Sequence, residues 1–318
     1  MLGDLGNQRQ LAGDGTGAYA GTPHGRPASQ RRAAKASDVP RIVNAMTVDV
    51  EDYFQVEAFK GAIARSSWEN TPLRVEANTD LLLQLFSDAG VSATFFVLGW
   101  VAERLPAVVQ RIAAAGHEVA SHGSGHERAD RQSPSVFRDD VARAKAVLEN
   151  QSGTRVRGYR APTFSIGRDN WWAYDALAEA GYDYSSSIYP IAHDLYGAPD
   201  APRAPFTPTS GPLLEIPLTT ARLLGRNIPC SGGGYFRLLP YEFSKWGLNR
   251  VNGSEGRAGV FYCHPWEFDV GQPRIETASV KSKLRHYTGI ANMPSRLRRL
   301  LKDFAWDRMD HVFLGTGV

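Results

Sequence analysis

Cysteine is nearly absent: Cys230 and Cys263 are the two in 318 residues. They are too few for a disulfide framework, and neither belongs to a CxxC pair, so a reduced interior is expected. Long apolar runs are missing too. None approaches the roughly 18 residues that a spanning helix needs, which predicts a globular, soluble chain that does not cross a membrane. Charge of one sign is not in excess, since 36 Lys and Arg face 33 Asp and Glu with a pI of about 8.8. With no broad basic patch, nucleic acid is excluded as the expected partner. The opening MLGDLGNQRQLAGDGTG has no continuous apolar segment of the kind a secretory signal needs, so a cytoplasmic location is expected. Large apolar side chains are scarce throughout residues 1–40. That stretch cannot bury enough surface to offset its ordering entropy and reads as a disordered tail.

From Arg41 onward short apolar runs alternate with helical patterns. Residues 42–50, 92–98, 117–122 and 155–162 read as strands, as do YDYSSSI, LLEIPL and GVFYCHPW further on. Helices are predicted over 78–89 with an Asn or Thr cap and Gly90 as stop, from Pro106 to Gly116, from Ser133 to about Asn150, and over 170–180. Strands alternating with helices predict an α/β fold whose parallel sheet is wrapped by crossover helices, as a barrel or a wide open sheet. In such folds chemistry gathers at the carboxyl ends of strands, where TVDVED, SHGSGH, GYRAP and FYCHPWE all fall.

TVDVEDYF sets Asp49, Glu51 and Asp52 within four positions of an otherwise apolar strand end. Buried carboxylates need a cation or an arginine to balance them. SHGSGH offers His122 and His126 four residues apart, with Gly123 and Gly125 letting the backbone curl. No Glu follows His122 directly, so this is not a zinc-peptidase HExxH. Two histidines and one carboxylate form a facial triad for a divalent metal, and a further carboxylate beside it is a candidate general base. Asp49, between Val48 and Val50, fits a merely solvated strand end poorly. Arg160, fixed by Ala161 and Pro162, is placed to hold a carboxylate ionised by a bidentate contact. His264, locked by Pro265 beside Trp266, is the candidate second acid/base group. Cys263 points to the opposite face of that strand and reads as a buried structural thiol. Ser231 to Gly234 lacks the Walker lysine and GxGxxG spacing, which leaves a substrate-facing turn. Trp171, Trp172, Tyr235, Phe236 and Trp266 are candidates for a sugar-binding wall.

In this order the motifs TVDVED, HGSGH, YRAP and FYCHPWE resemble those of the polysaccharide deacetylases of carbohydrate esterase family four. ATFFVLGW and GHEVASHG resemble the family as well, and coverage runs from about Arg41 to Asp269. DVEDYFQVEAF, SGGGYFRLLP, HPWEFD and the tail RIETASVKSKLRHYTG through RLRRLLKDF resemble more narrowly the deacetylases of bacterial exosortase-linked exopolysaccharide loci. The resemblance implies a distorted, incomplete (β/α) barrel over residues 41–275, a helical extension over 276–318, and hydrolysis of an N-acetyl group from an amino sugar. It further implies a divalent metal, zinc foremost, held by His122, His126 and one carboxylate of the first motif. Asp49 would be the base held by Arg160, His264 would protonate the leaving amine, and the Thr163 amide would help hold the oxyanion. Strand alternation favours Glu51 as third ligand; the adjacent aspartates of the wider family favour Asp52, and the balance falls slightly to Asp52. The competing readings are an amidohydrolase acting on a small cyclic amide or ureide and a catalytically silent glycan-binding module.

Overall fold

Strand β1 (Val43–Val50) is buried from Asn44 to its end, as expected of a central parallel strand covered on both faces. The computed structural model describes residues 41–208 and 211–315; the tail expected over residues 1–40 lies outside the described residues. After β1 come α1 (Val75–Ala89), β2 (Thr94–Val97), α2 (Gly99–Arg104), α3 (Pro106–Ala114) and β3 (Glu118–Ser121). Then follow α4 (Pro134–Ser152), β4 (Gly158–Tyr159), α5 (Trp172–Glu179), β5 (Tyr184–Ser185) and β6 (Leu214–Glu215). The second half holds the hairpin β7 (Thr220–Leu223) and β8 (Arg226–Pro229), α6 (Gly233–Leu238), α7 (Tyr241–Asn249) and β9 (Val260–Cys263). The last elements are α8 (Val280–Tyr287), α9 (Met293–Asp303) and β10 (Ala305–Asp307).

Eight strands form one sheet in the order β10-β1-β2-β3-β4-β5-β6, with β9 also paired to β1. Every pairing between these strands is parallel. Strand β1 serves three partners: Val43–Ala45 pairs with β10, Ala45–Val48 with β9 and Thr47–Val50 with β2. Beyond β6 a single antiparallel bridge joins Phe206 to Glu215, so the curled sheet is a half-barrel. Phe86, Phe95, Phe137 and Leu148 pack at zero exposure between sheet and helices. Each such side chain contributes on the order of 1.5–3 kcal/mol by leaving water.

Helix ends explain where the predicted bounds shift. Helix α4 starts as expected, with the Ser133 hydroxyl accepting from the Val136 amide, and Gly153 closes it at φ 68°. Helix α1 begins at Val75 rather than Asn78, because its first amides are satisfied by a carboxylate from elsewhere in the chain, Asp52. Helices α2, α6 and α7 and the hairpin β7-β8 were not anticipated. The segment after residue 276, expected as a helical extension, also returns β10 to pair with β1.

At the amino end of β3, opposite His122, Glu118 accepts from the Thr94 hydroxyl at 2.5 Å and the Tyr184 hydroxyl at 3.0 Å. Burial, and then the charge of Asp310, push its pKa up to about 7. The folded chain therefore holds a proton that the unfolded chain releases near pH 4.5. This group's contribution is full below about pH 4.5 and declines as the pH rises through 7. Glu118→Gln is expected to flatten that decline by about 1–3 kcal/mol. Urea unfolding of both proteins at pH 5 and 7.5 checks it, and equal slopes would show that Glu118 does not titrate in this window.

Candidate functional site

The ends of β1, β3, β4 and β9 carry Asp49, Glu51, His122, His126, Arg160 and His264 to one place, because parallel strands in register deliver their carboxyl ends side by side. Arg160 is fully buried. Its Nη1 donates to Asp49 Oδ1 at 2.6 Å and to Thr47 Oγ1 at 2.8 Å. Its Nε and Nη2 donate to the Ser186 carbonyl and hydroxyl, each at 3.1 Å. The contact with Asp49 is thus single rather than bidentate as expected, since Ser186 takes the other edge of the guanidinium. Asp49 Oδ2 stays free of Arg160 and lies 3.9 Å from His264 Nε2.

His122 Nδ1 donates to the Arg160 carbonyl at 2.8 Å, which fixes the tautomer and leaves Nε2 as a lone pair facing the site. Burial lowers the His122 pKa to about 4 and keeps the ring neutral, the form that ligates a metal. His126 sits in the left-handed region at φ 56°, and its Nε2 lies 2.5 Å from Glu51 Oε2. Gly123, at φ 74°, supplies the turn before it. Gly125 acts differently: Arg65 packs where a Cβ would stand and donates to the Gly125 carbonyl. The unanticipated α2 holds the same loop, its Gly99 and Trp100 amides donating to the carbonyls of Gly123 and Ser124 at 2.9 and 2.7 Å.

One ligand atom each from Glu51, His122 and His126 lie within 4.8 Å of one another. This donor set, two imidazole nitrogens and a carboxylate in a buried pocket, fits a divalent ion. Glu51 also accepts from Trp266 Nε1 at 3.1 Å. Burial would raise its pKa, but His126, then His264 and His122, hold it at about 2.

The lean toward Asp52 as third ligand is corrected here. Asp52 turns away from the histidines and accepts from the backbone amides of Tyr53, Arg74 and Val75 at 2.8, 2.7 and 2.9 Å. The strand runs regularly through Glu51, so Asp49 and Glu51 share the site face while Asp52 anchors α1. Burial raises the Asp52 pKa.

Two residues that the motifs did not single out complete the acid side. Glu267 lies 3.3 Å from His264 Nδ1 through Oε2, which also accepts from the His264 amide at 3.0 Å. Burial lowers the His264 pKa, yet Glu267, with Glu51 and Asp49, outweighs it and leaves a value of about 9. Arg237 in turn donates to Glu267 Oε1 at 2.7 Å. The signal for Glu267 was present in HPWE, where an acid three residues after the first position of a turn reaches back to that position's amide.

A cavity of about 370 Å³ opens onto Asp49, Glu51, His122, His126 and His264, with Thr163, Tyr235 and Trp266 in its wall. Thr163 adopts left-handed backbone at φ 58°. Of the other aromatic candidates, Phe236 belongs to the core against Phe261, Trp172 packs on the core, and Trp171 borders a separate cavity. Gly232 and Gly233 in SGGG have Tyr262 where a Cβ would be, and Gly233 and Gly234 line the cavity, where a substrate-facing turn was expected. Cys263 is buried with Sγ toward the Thr47 carbonyl.

The family model described as Polysaccharide deacetylase matches residues 63–185, and the one described as Domain of unknown function (DUF3473) matches residues 186–314. Residues 63–185 are thus similar to the polysaccharide deacetylases, a match that covers less than half of the chain. The chain is 28% identical over 117 residues to the Peptidoglycan deacetylase-like protein FGM2 of Gibberella zeae, covering 36% of this chain and 34% of that one. It is 33% identical over 98 residues to the Chitooligosaccharide deacetylase of Bradyrhizobium sp., covering 30% of this chain and 42% of that one. The chain thus spans between 30% and 42% of the length of the curated relatives it matches. A crystal structure assigned as a polysaccharide deacetylase from Mycobacterium smegmatis shares the fold at TM-score 0.57 and 21% identity, over 86% of this chain and 88% of that one. Puue Allantoinase does so at TM-score 0.55 and 16% identity, over 87% and 93%.

The segment matched by the deacetylase model supplies His122, His126, Arg160 and Thr163, whereas the segment of unknown function supplies Tyr235, Arg237, His264, Trp266 and Glu267. Both segments pair with β1 and line one cavity. Asp52→Ala is expected to lower unfolding free energy by about 1–3 kcal/mol, since three buried amides lose their acceptor. Zinc affinity of the stripped protein should stay unchanged in that variant and fall at least tenfold in Glu51→Gln. The opposite pattern in a zinc titration would return the ligand role to Asp52.

Proposed function

We propose that this protein is a metal-dependent hydrolase that removes N-acetyl groups from amino sugars of a polysaccharide, in bacterial exopolysaccharide synthesis. The observation that carries the reading is the convergence of Glu51, His122 and His126 with Asp49 and His264 on the wall of one cavity. Zinc is the metal that the two imidazoles and one carboxylate suit best. Bound there, it would polarise the acetamide carbonyl and hold the attacking water. Asp49 Oδ2, the oxygen not engaged by Arg160, takes a proton from that water, and Arg160 holds the carboxylate in place through Oδ1. His264, protonated at neutral pH beside Glu267, gives its Nε2 proton to the amine nitrogen as the carbon–nitrogen bond breaks. Tyr235 and Trp266 offer apolar faces to the sugar ring.

The narrower resemblance of SGGGYFRLLP, HPWEFD and RIETASVKSKLRHYTG supports an exopolysaccharide as the substrate. Acetate release from N-acetylated oligosaccharides by metal-stripped protein, with zinc, cobalt, nickel or manganese restored, tests the activity. Acetate appears only with added metal if the reading holds. Ring opening of allantoin without acetate release would favour the cyclic-ureide hydrolase, and binding of oligosaccharide with neither reaction would favour a glycan-binding module. Asp49→Asn and His264→Ala are each expected to lose about 10²-fold or more in kcat while retaining zinc. Loss of zinc in Asp49→Asn would move Asp49 into the ligand set.

A further inference from the structure

The motifs SGGGYFRLLP and KLRHYTG are unexplained by the reaction itself, and they meet in space at Arg237. Arg237 has 4% exposure, lies in α6 and borders the same cavity as Tyr235 and Trp266. Its Nε donates to Glu267 Oε1 at 2.7 Å. Its Nη1 donates to the carbonyls of His286 and Thr288 at 2.7 and 2.8 Å, and Nη2 to that of Arg285 at 2.9 Å. Those three carbonyls belong to the last turn and end of α8, which has no further turn to satisfy them. A cation at a helix carboxyl terminus is also favoured by the helix dipole. The guanidinium therefore bridges the end of α8 and the carboxylate that faces His264.

A second route connects the same helix to the same histidine. His286 of α8 stacks on Trp266 with ring centroids 4.1 Å apart and 12° between planes, and Trp266 stacks on His264 at 5.1 Å and 21°. His286 Nε2 donates to Gln272 Oε1 at 2.6 Å, and Gln272 Nε2 holds the Trp266 carbonyl at 2.8 Å. The turn that follows is equally tied, because Gly289 sits at φ 80° with the Arg237 backbone where a Cβ would be.

We propose that Arg237 is a positioning residue for the deacetylation: through Glu267 it holds the His264 ring, and it makes α8, in the segment of unknown function, part of the acid half of the site. This rests on the deacetylase reading above. All three guanidinium nitrogens of Arg237 donate to protein acceptors, so its loss should change the rate of proton delivery rather than binding.

The test compares Arg237→Met, Arg237→Lys, Glu267→Gln and the double variant Arg237→Met with Glu267→Gln. Expected is a kcat lower by about 10–100-fold in Arg237→Met and Glu267→Gln, with KM within about threefold, zinc content unchanged and the double variant no worse than either single one. Arg237→Lys keeps the charge but cannot reach Glu267 and three carbonyls together, so it should recover part of the loss. An activity-independent readout is the proton resonance of the His264 ring Nδ1–H in zinc-free protein, assigned by its disappearance in His264→Gln. It should be downfield and slow to exchange in the parent, and displaced in Arg237→Met and Arg237→Lys. Unchanged kcat in both Arg237 variants, additive losses, or an unmoved resonance would overturn the proposal. If the parent releases no acetate, the deacetylase reading falls, while the resonance still decides whether Arg237 positions His264.

Discussion

A guanidinium with no access to water must place its N–H groups on protein acceptors, and Arg160 places them on Asp49, Thr47 and Ser186. Burying that charge is costly unless a carboxylate compensates it, so Asp49 is as necessary to Arg160 as Arg160 is to Asp49. The Phe96 ring, 4.1 Å from the guanidinium carbon, covers the cation's flat face. The carbonyl of the same residue accepts from His122 Nδ1. One side chain thus orients the base, and its own backbone orients a metal-ligand candidate.

Around this pair the three acids of TVDVEDYF are divided by geometry. Asp49 faces Arg160, Glu51 faces His126 and Trp266, and Asp52 faces the first amides of α1. Each carboxylate in a nearly dry interior has its own donors, which is how three of them are tolerated within four positions. Asp52 is structural in this division, yet it secures the chain immediately after Glu51. A site ligand and a helix cap are neighbours on one backbone, so helix docking and site geometry are linked.

The acid side is built by a different device. Strand β9 pairs with β1 in parallel, which brings His264 beside Asp49 and Glu51 although more than two hundred residues separate them. Glu267, held by Arg237, then offsets the burial that would otherwise strip the proton from His264. The base and acid therefore have opposite partners, a guanidinium behind one and a carboxylate behind the other. The carboxylate partner favours the protonated form of His264.

By itself the sequence determined the parallel α/β architecture, because strand and helix periodicities alternate locally and need no tertiary information to be read. It also placed HGSGH, YRAP and FYCHPWE at strand ends, because these motifs are short and their residues lie within a few positions of a strand terminus. Glu51 and Asp52 could not be separated that way. Their roles depend on whether the backbone kinks after Val50 and on which amides lie nearby, and Arg74 and Val75 arrive only when α1 docks. Arg237 was hidden for the same reason, since the carbonyls it caps lie some fifty residues away in α8. Strand β10 was missed because three residues leave too short a pattern, and its place is set by pairing with β1. Tertiary structure decided these features because each is a hydrogen bond between distant segments, and such bonds leave no period in the chain.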